Sequence, residues 1–206
     1  MREGVMTMDF RDIDWHSDRP DDVAVASDWD RTIITPLAHT DGRLSAVVEA
    51  LAATRVNGGA QLAQFEISAA PAVRWALSRN RWNEFDLLGR FFRHRSVVAA
   101  LPAVKQIEPT ISAFQMEGTF ITYGRLAGWV REGGAYKKFS GSDEEALQLA
   151  REFMRAVCEM RFSETCTWVN WMPWTGWFLD VAWDGTFLWF DTRRGIATVL
   201  MVTDIG

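Results

Sequence analysis

The residues whose types and spacing could do chemistry are the two carboxylates of Asp28-Trp29-Asp30, followed by Arg31 and Thr32 and preceded by the apolar run Val23 to Ser27. Carboxylates separated by one residue can act as nucleophile and proton carrier, or share a divalent cation, when alternate side chains leaving a strand project to one side. The apolar run predicts such a strand. Other reactive residues are scattered. His16, His39 and His94 show no paired spacing for a metal, and Cys158 and Cys166 form neither a CxxC pair nor a disulfide framework. Both cysteines read as reduced thiols, with Cys158 facing the core. A GxSxG elbow and a P-loop are absent, and Gly133-Gly134 lacks the strand-to-helix setting of a nucleotide fingerprint.

Composition sets what must hold these residues. A chain of 206 residues, 48% hydrophobic and 13% aromatic, can bury a substantial core. It contains nothing close to the roughly 18 uncharged apolar residues of a membrane span, and its first residues are acidic where a signal peptide would be basic and then apolar. A soluble, cytoplasmic protein without membrane association is the expectation. Residues 1–30 carry nine acids against three bases, 31–140 eight against fourteen, and 141–206 ten against five. The ends are therefore acidic and the middle basic. That balance argues against general nucleic-acid binding, which needs clustered Lys and Arg, and an acidic face suits a basic protein partner.

The elements fall into a polar arm (1–22), a mixed α/β half (23–108) and a second half (109–206), expected to form one compact unit. Leu44, Val47, Val48, Leu51 and Val56 recur at helical spacing after Asp41-Gly42, and AQLAQFEIS alternates as a half-buried strand. Pro71 opens a further predicted helix, and FDLLGRFFRHRSVVAAL reads as another that Pro102 stops. ISAFQMEGTFITYG reads as a strand or hairpin broken at Gly118, RLAGWVRE as a helix stopped by Gly133-Gly134, and AYKKF as a strand. Ser142 with Glu145 predicts a capping box for the helix SDEEALQLAREFMRAVCEMRF, whose apolar stripe runs through Ala146, Leu147, Ala150, Phe153, Met154, Val157 and Cys158. From Thr167 onward the period becomes two. TWVNWM, WFLDVAWD, TFLWFD and IATVLMVTD predict four antiparallel strands with the long helix on one face, an α+β fold.

Six tryptophans, Trp168, Trp171, Trp174, Trp177, Trp183 and Trp189, crowd this region. Trp177 and Trp183 are expected in the core. Trp171 and Trp174, flanking Pro173, are candidates for an exposed binding rim.

Two resemblances follow from these residues. The run Asp28, Asp30, Thr32, Ile33, Ile34 resembles the first motif of haloacid dehalogenase-like phosphatases. That likeness implies Asp28 as nucleophile, Asp30 as proton carrier and a Mg²⁺ ion held by Asp28 with Asp180 and Asp184. It also implies Ser68 as phosphate binder and Lys105 as the cation. Ser27 and Arg31 stand where that family has an apolar residue and a glycine, and Asp180 and Asp184 lie in a hairpin pattern rather than at the end of a parallel strand. Second, GRLAGWVREGGAYKKFSGSDEEALQLAREFM, then WFLDVAWDGTFLWFD and TVLMVTDIG, resemble small bacterial proteins of immunity type from polymorphic toxin systems. The likeness is one of layout and covers about the last 90 residues. It implies a non-catalytic protein without cofactor that occludes a cognate, basic toxin domain. Its candidate contacts are Trp171, Trp174, Asp180, Asp184, Asp191 and Asp204. This binding reading is the leading expectation, and the Mg²⁺-dependent phosphatase using Asp28 and Asp30 is the alternative.

Overall fold

A computed structural model of the chain describes residues 18–38, 41–104 and 107–204. Most of the polar arm, with His16, lies outside the described residues, as do His39 and Lys105. In chain order the elements are α1 (Asp22–Arg31), β1 (Ile33–Leu37), α2 (Gly42–Thr54), β2 (Gly59–Ser68), α3 (Pro71–Ser78), α4 (Leu87–Arg93) and α5 (Arg95–Ala100). A 3₁₀ turn (Pro109–Ala113) then leads to β3 (Gln115–Met116), α6 (Thr119–Glu132), α7 (Asp143–Cys158), β4 (Thr165–Asn170), β5 (Gly185–Asp191) and β6 (Ile196–Thr203).

The six strands form one antiparallel sheet in the order β1-β2-β6-β5-β4-β3, so both halves of the chain contribute to it. The class is α+β, with β4, β5 and β6 as a meander and α7 packed on it. Helices, however, cover both faces. Ala63, Phe65 and Ile67 of β2, Trp168, Leu188, Phe190, Val199 and Met201 pack with Val73, Leu77, Leu88, Phe91, Phe92 and Val97 on one side. Val169, Phe187, Trp189, Leu200 and Val202 pack with Leu51, Leu126, Val130, Phe153, Met154 and Val157 on the other. This is why GTFLWFD and TVLMVT read as nearly continuous apolar runs: a strand with two dry faces has no polar face to alternate with.

α7 forms as its sequence dictates. Glu145 N–H donates to Ser142 Oγ at 3.2 Å, and Ser142 N–H donates to the Glu145 carboxylate at 2.6 Å. Its stripe is buried except for Leu147, which is exposed. At its other end Arg194 donates to the carbonyls of Ala156 and Val157, completing acceptors the helix leaves open. α6 ends where expected, at Gly133 with φ +69°, a conformation that favours glycine.

Five expectations are corrected by the structure. Val23 to Ser27 is helical, because Asp21 caps α1 by accepting the Ala24 N–H at 2.7 Å and Asp22 follows in the first turn. TFITYG is the start of α6 rather than a strand. There the β-favouring Thr119 and Thr122 turn inward, Thr119 donating to the Thr165 carbonyl at 3.0 Å and Thr122 accepting from the Trp189 indole at 3.3 Å. AYKKF makes no strand; its Lys137 carbonyl accepts the Gly134 N–H in a turn. WFLDVAWD makes no strand either, so three long strands rather than four fill the C-terminal region. The helix predicted across FDLLGRFFRHRSVVAAL is two helices, separated at His94, whose ring accepts the Ser96 N–H and caps α5.

Candidate functional site

A helix, not a strand end, carries Asp28 and Asp30. At 3.6 residues per turn, side chains two apart diverge by about 200° around the axis. Asp28 faces inward, pairs with Arg31 and accepts the Ala72 N–H at 2.6 Å, while Asp30 is exposed. One carboxylate oxygen of Asp28 therefore serves the first turn of α3, whose N-terminus has no side-chain cap of its own. Thr32 donates to the Asp28 carbonyl at 2.9 Å, and Ser68 ends β2 opposite Ile33. Among the described residues no group of three or more His, Cys, Asp or Glu side chains is placed to hold a metal ion, so Asp28 does not meet Asp180 and Asp184.

The later carboxylates are mostly internal. Asp184 is buried and accepts the N–H groups of Leu179 and Val181 at 2.9 and 3.1 Å and the hydroxyl of Thr203. Those two bonds fold 177–184 into an irregular loop in place of the predicted strand, with Asp180 exposed at φ +61°. Asp191 is buried and binds Arg161 and Arg194 while accepting the Arg193 and Arg194 N–H groups in the turn between β5 and β6. Asp204 is buried and accepts the N–H groups of Asn57 and Ala135, tying the end of β6 to the loops after α2 and α6. Its neighbour Arg55 is buried too, and desolvation brings that guanidinium down to about 10 against the opposing pull of Asp204. Asp184, Asp191 and Asp204 thus make no exposed acidic face.

The tryptophans are corrected in the same way. Trp174, expected at an exposed turn, is wholly buried against Phe92 and Phe114 and donates to Thr186 at 2.8 Å. Trp171 is half-buried between Trp129 and Phe187, with the Arg125 guanidinium 5.5 Å from its ring centre. Trp177 and Trp183, expected in the core, are half-buried, Trp177 packing on the edge of the first core beside Phe178, while Trp168 and Trp189 lie fully within the two cores.

The exposed acids lie elsewhere. The first turn of α7 carries Asp143, Glu144 and Glu145, and α7 faces the start of α2 across an open groove of about 480 Å³. Ala46, Phe139 and Leu149 make its floor; Arg43, Glu145, Gln148 and Glu152 make its rim. Arg43 is turned back on Asp41, donating from Nε at 2.9 Å and from Nη2 at 2.6 Å. That fork holds the Asp41 carboxyl below its usual range, and the Ser142 N–H does the same for Glu145, so both stay ionised well into mild acid. Nothing in the sequence pointed to this groove. The acids of 143–145 were legible, but Arg43, Ala46 and Phe139 meet them only through the fold. Among the described residues no helix is long and apolar enough to cross a membrane. The chain matches no protein-family model and no curated protein.

Proposed function

We propose that this protein works by binding another protein without catalysis, as an immunity-type protein that covers a basic toxin domain, and that the groove between α2 and α7 receives that partner. The observation that carries this is the groove itself, an apolar floor within a carboxylate rim whose single arginine is already satisfied by Asp41. A partner side chain of apolar type would bury against Phe139 and Leu149, while flanking lysines or arginines would meet Glu145 and Glu152. Complementary charge of this kind raises the association rate and selects the partner, and the apolar anchor supplies most of the affinity. The phosphatase reading draws less support, since Asp28 is spent on Arg31 and on the first turn of α3.

The test is co-expression with any basic toxin domain found encoded beside this protein, scored by growth and by isolation of a 1:1 complex. Wild type should protect; Leu149→Glu and Glu152→Lys should lose protection while remaining folded in their melts, Glu145 being left in place because it caps α7. Protection that survives both variants removes the groove from the account. Failure of the wild type to protect or to form a complex removes the immunity reading itself.

A further inference from the structure

Partner binding at α2 and α7 leaves the stretch Asp28-Trp29-Asp30-Arg31-Thr32 without a chemical role, yet four of its residues line a separate cleft of about 380 Å³. Trp29, Asp30, Arg31 and Thr32 form one wall, at the junction of α1 and β1. His94, Arg95 and Ser96 form the other, at the corner between α4 and α5. The size is that of a small-molecule site and the lining is polar.

Among the described residues the charges of the two walls do not cancel. Arg31 shares its guanidinium with Asp28, but Arg95 forms no ion pair with any carboxylate among the described residues. His94 adds no compensating charge. Its Nδ1 accepts the Ser96 N–H at 3.3 Å, which makes Nε2 the nitrogen that bears hydrogen in the neutral ring. Partial burial and the adjacent Arg95 both push the imidazole below its ordinary value, so it is neutral at pH 7. Trp29 stands edge-on to His94, with ring centres 6.5 Å apart, and fixes that wall. The one acid in the cleft, Asp30, is exposed and can only accept hydrogen bonds.

We propose that this cleft binds a small organic oxyanion that also carries a hydroxyl or amine, the anionic group lying against Arg95, His94 and Arg31 and the donor reaching Asp30. An exposed arginine fork without a carboxylate partner among the described residues is matched by an oxyanion with two or more acceptor oxygens. Asp30 would repel a second anionic group and so selects for the donor. The binding does not depend on the groove and does not require a metal.

The experiment is calorimetric titration with lactate, which carries one carboxylate and one hydroxyl, and with inorganic phosphate, at ionic strength held constant with sodium chloride. The His94 ring nitrogens are followed by NMR in parallel. Lactate should bind saturably at one site. Arg95→Gln should weaken it about tenfold or more, the loss expected for one charge-assisted contact. Asp30→Asn should tighten phosphate by removing repulsion. Because a bound anion favours imidazolium, the His94 pKa should rise when the site fills; Asp30, Arg31 and Arg95 are the other charged groups lining the cleft among the described residues. The proposal is overturned if neither anion saturates by about 10 mM, weaker than any useful site. It is equally overturned if Arg95→Gln, shown by its melt to be folded, binds both as the wild type does, or if the His94 pKa does not move at saturation.

Discussion

Replacing Asp184 by alanine separates an architectural carboxylate from an interface contact. The side chain is 1% exposed and accepts three hydrogen bonds, two from backbone N–H groups and one from the hydroxyl of Thr203, itself buried at the end of β6. A buried donor left without an acceptor costs about 1–3 kcal/mol. The N–H groups of Leu179 and Val181 belong to a partly exposed loop that water can reach, so each takes the low end, about 1 kcal/mol. The Thr203 hydroxyl has no such access and adds about 1–2 kcal/mol. The expected loss is thus about 3–4 kcal/mol, or roughly 10 °C in melting temperature for a chain of this size. Asp184→Asn keeps one carbonyl oxygen and should lose about half as much. Urea unfolding followed by tryptophan fluorescence reads both, with the slope unchanged if the native state stays compact. A loss below about 1 kcal/mol for the alanine variant would refute the reasoning, because the 177–184 loop would then owe its shape to something other than this carboxylate.

Further outcomes follow from the same geometry. Trp174→Ala should cost about 3–5 kcal/mol in urea unfolding, and Trp171→Ala distinctly less, because only the first is wholly enclosed. Ser142→Ala removes the cap of α7 and should cost about 1 kcal/mol. Alanine keeps the backbone N–H that lowers the Glu145 pKa, so the pH-dependent part is removed by Glu145→Gln instead. A depressed carboxylate contributes stability that is full above its unfolded value and is lost as pH falls through the lower folded value, so the acid limb below the ordinary glutamate range should flatten in urea melts of Glu145→Gln. Cys166, pushed up to about 12 by burial, and Cys158, also raised, should both react with a disulfide reagent at pH 8 only as fast as the protein opens.

What was legible in the sequence was local. The capping box at Ser142 and Glu145, the stop at Gly133 and the alternation of AQLAQFEIS depend on neighbours a few residues away, and each appears where its spacing puts it. The start of α1 was equally local: Pro20, Asp21 and Asp22 form an N-terminal signature that outweighs the brief apolar run after it. TFITYG was not legible, because Thr119 and Thr122 find their partners on β4 and β5, more than 40 residues away.

The acids illustrate the same division more sharply. Asp184, Asp191 and Asp204 each stand beside a turn or strand end, where an aspartate ordinarily meets water, and their residue types alone predict solvation. They are buried because each turn they serve lies beneath another element: Asp191 under the arginines of 161 and 194, Asp204 under the loops at 57 and 135. A carboxylate accepting several N–H groups can remain inside where an unpaired one could not. The count of acids in the last third of the chain therefore overstates its exposed charge. Of the acids in that third that do reach solvent, Asp143, Glu144 and Glu145 gather at the start of α7, beside a groove whose other wall comes from residues a hundred positions earlier, while Glu159 and Asp180 stand apart, so the densest exposed negative charge lies there rather than at the tryptophan-rich end.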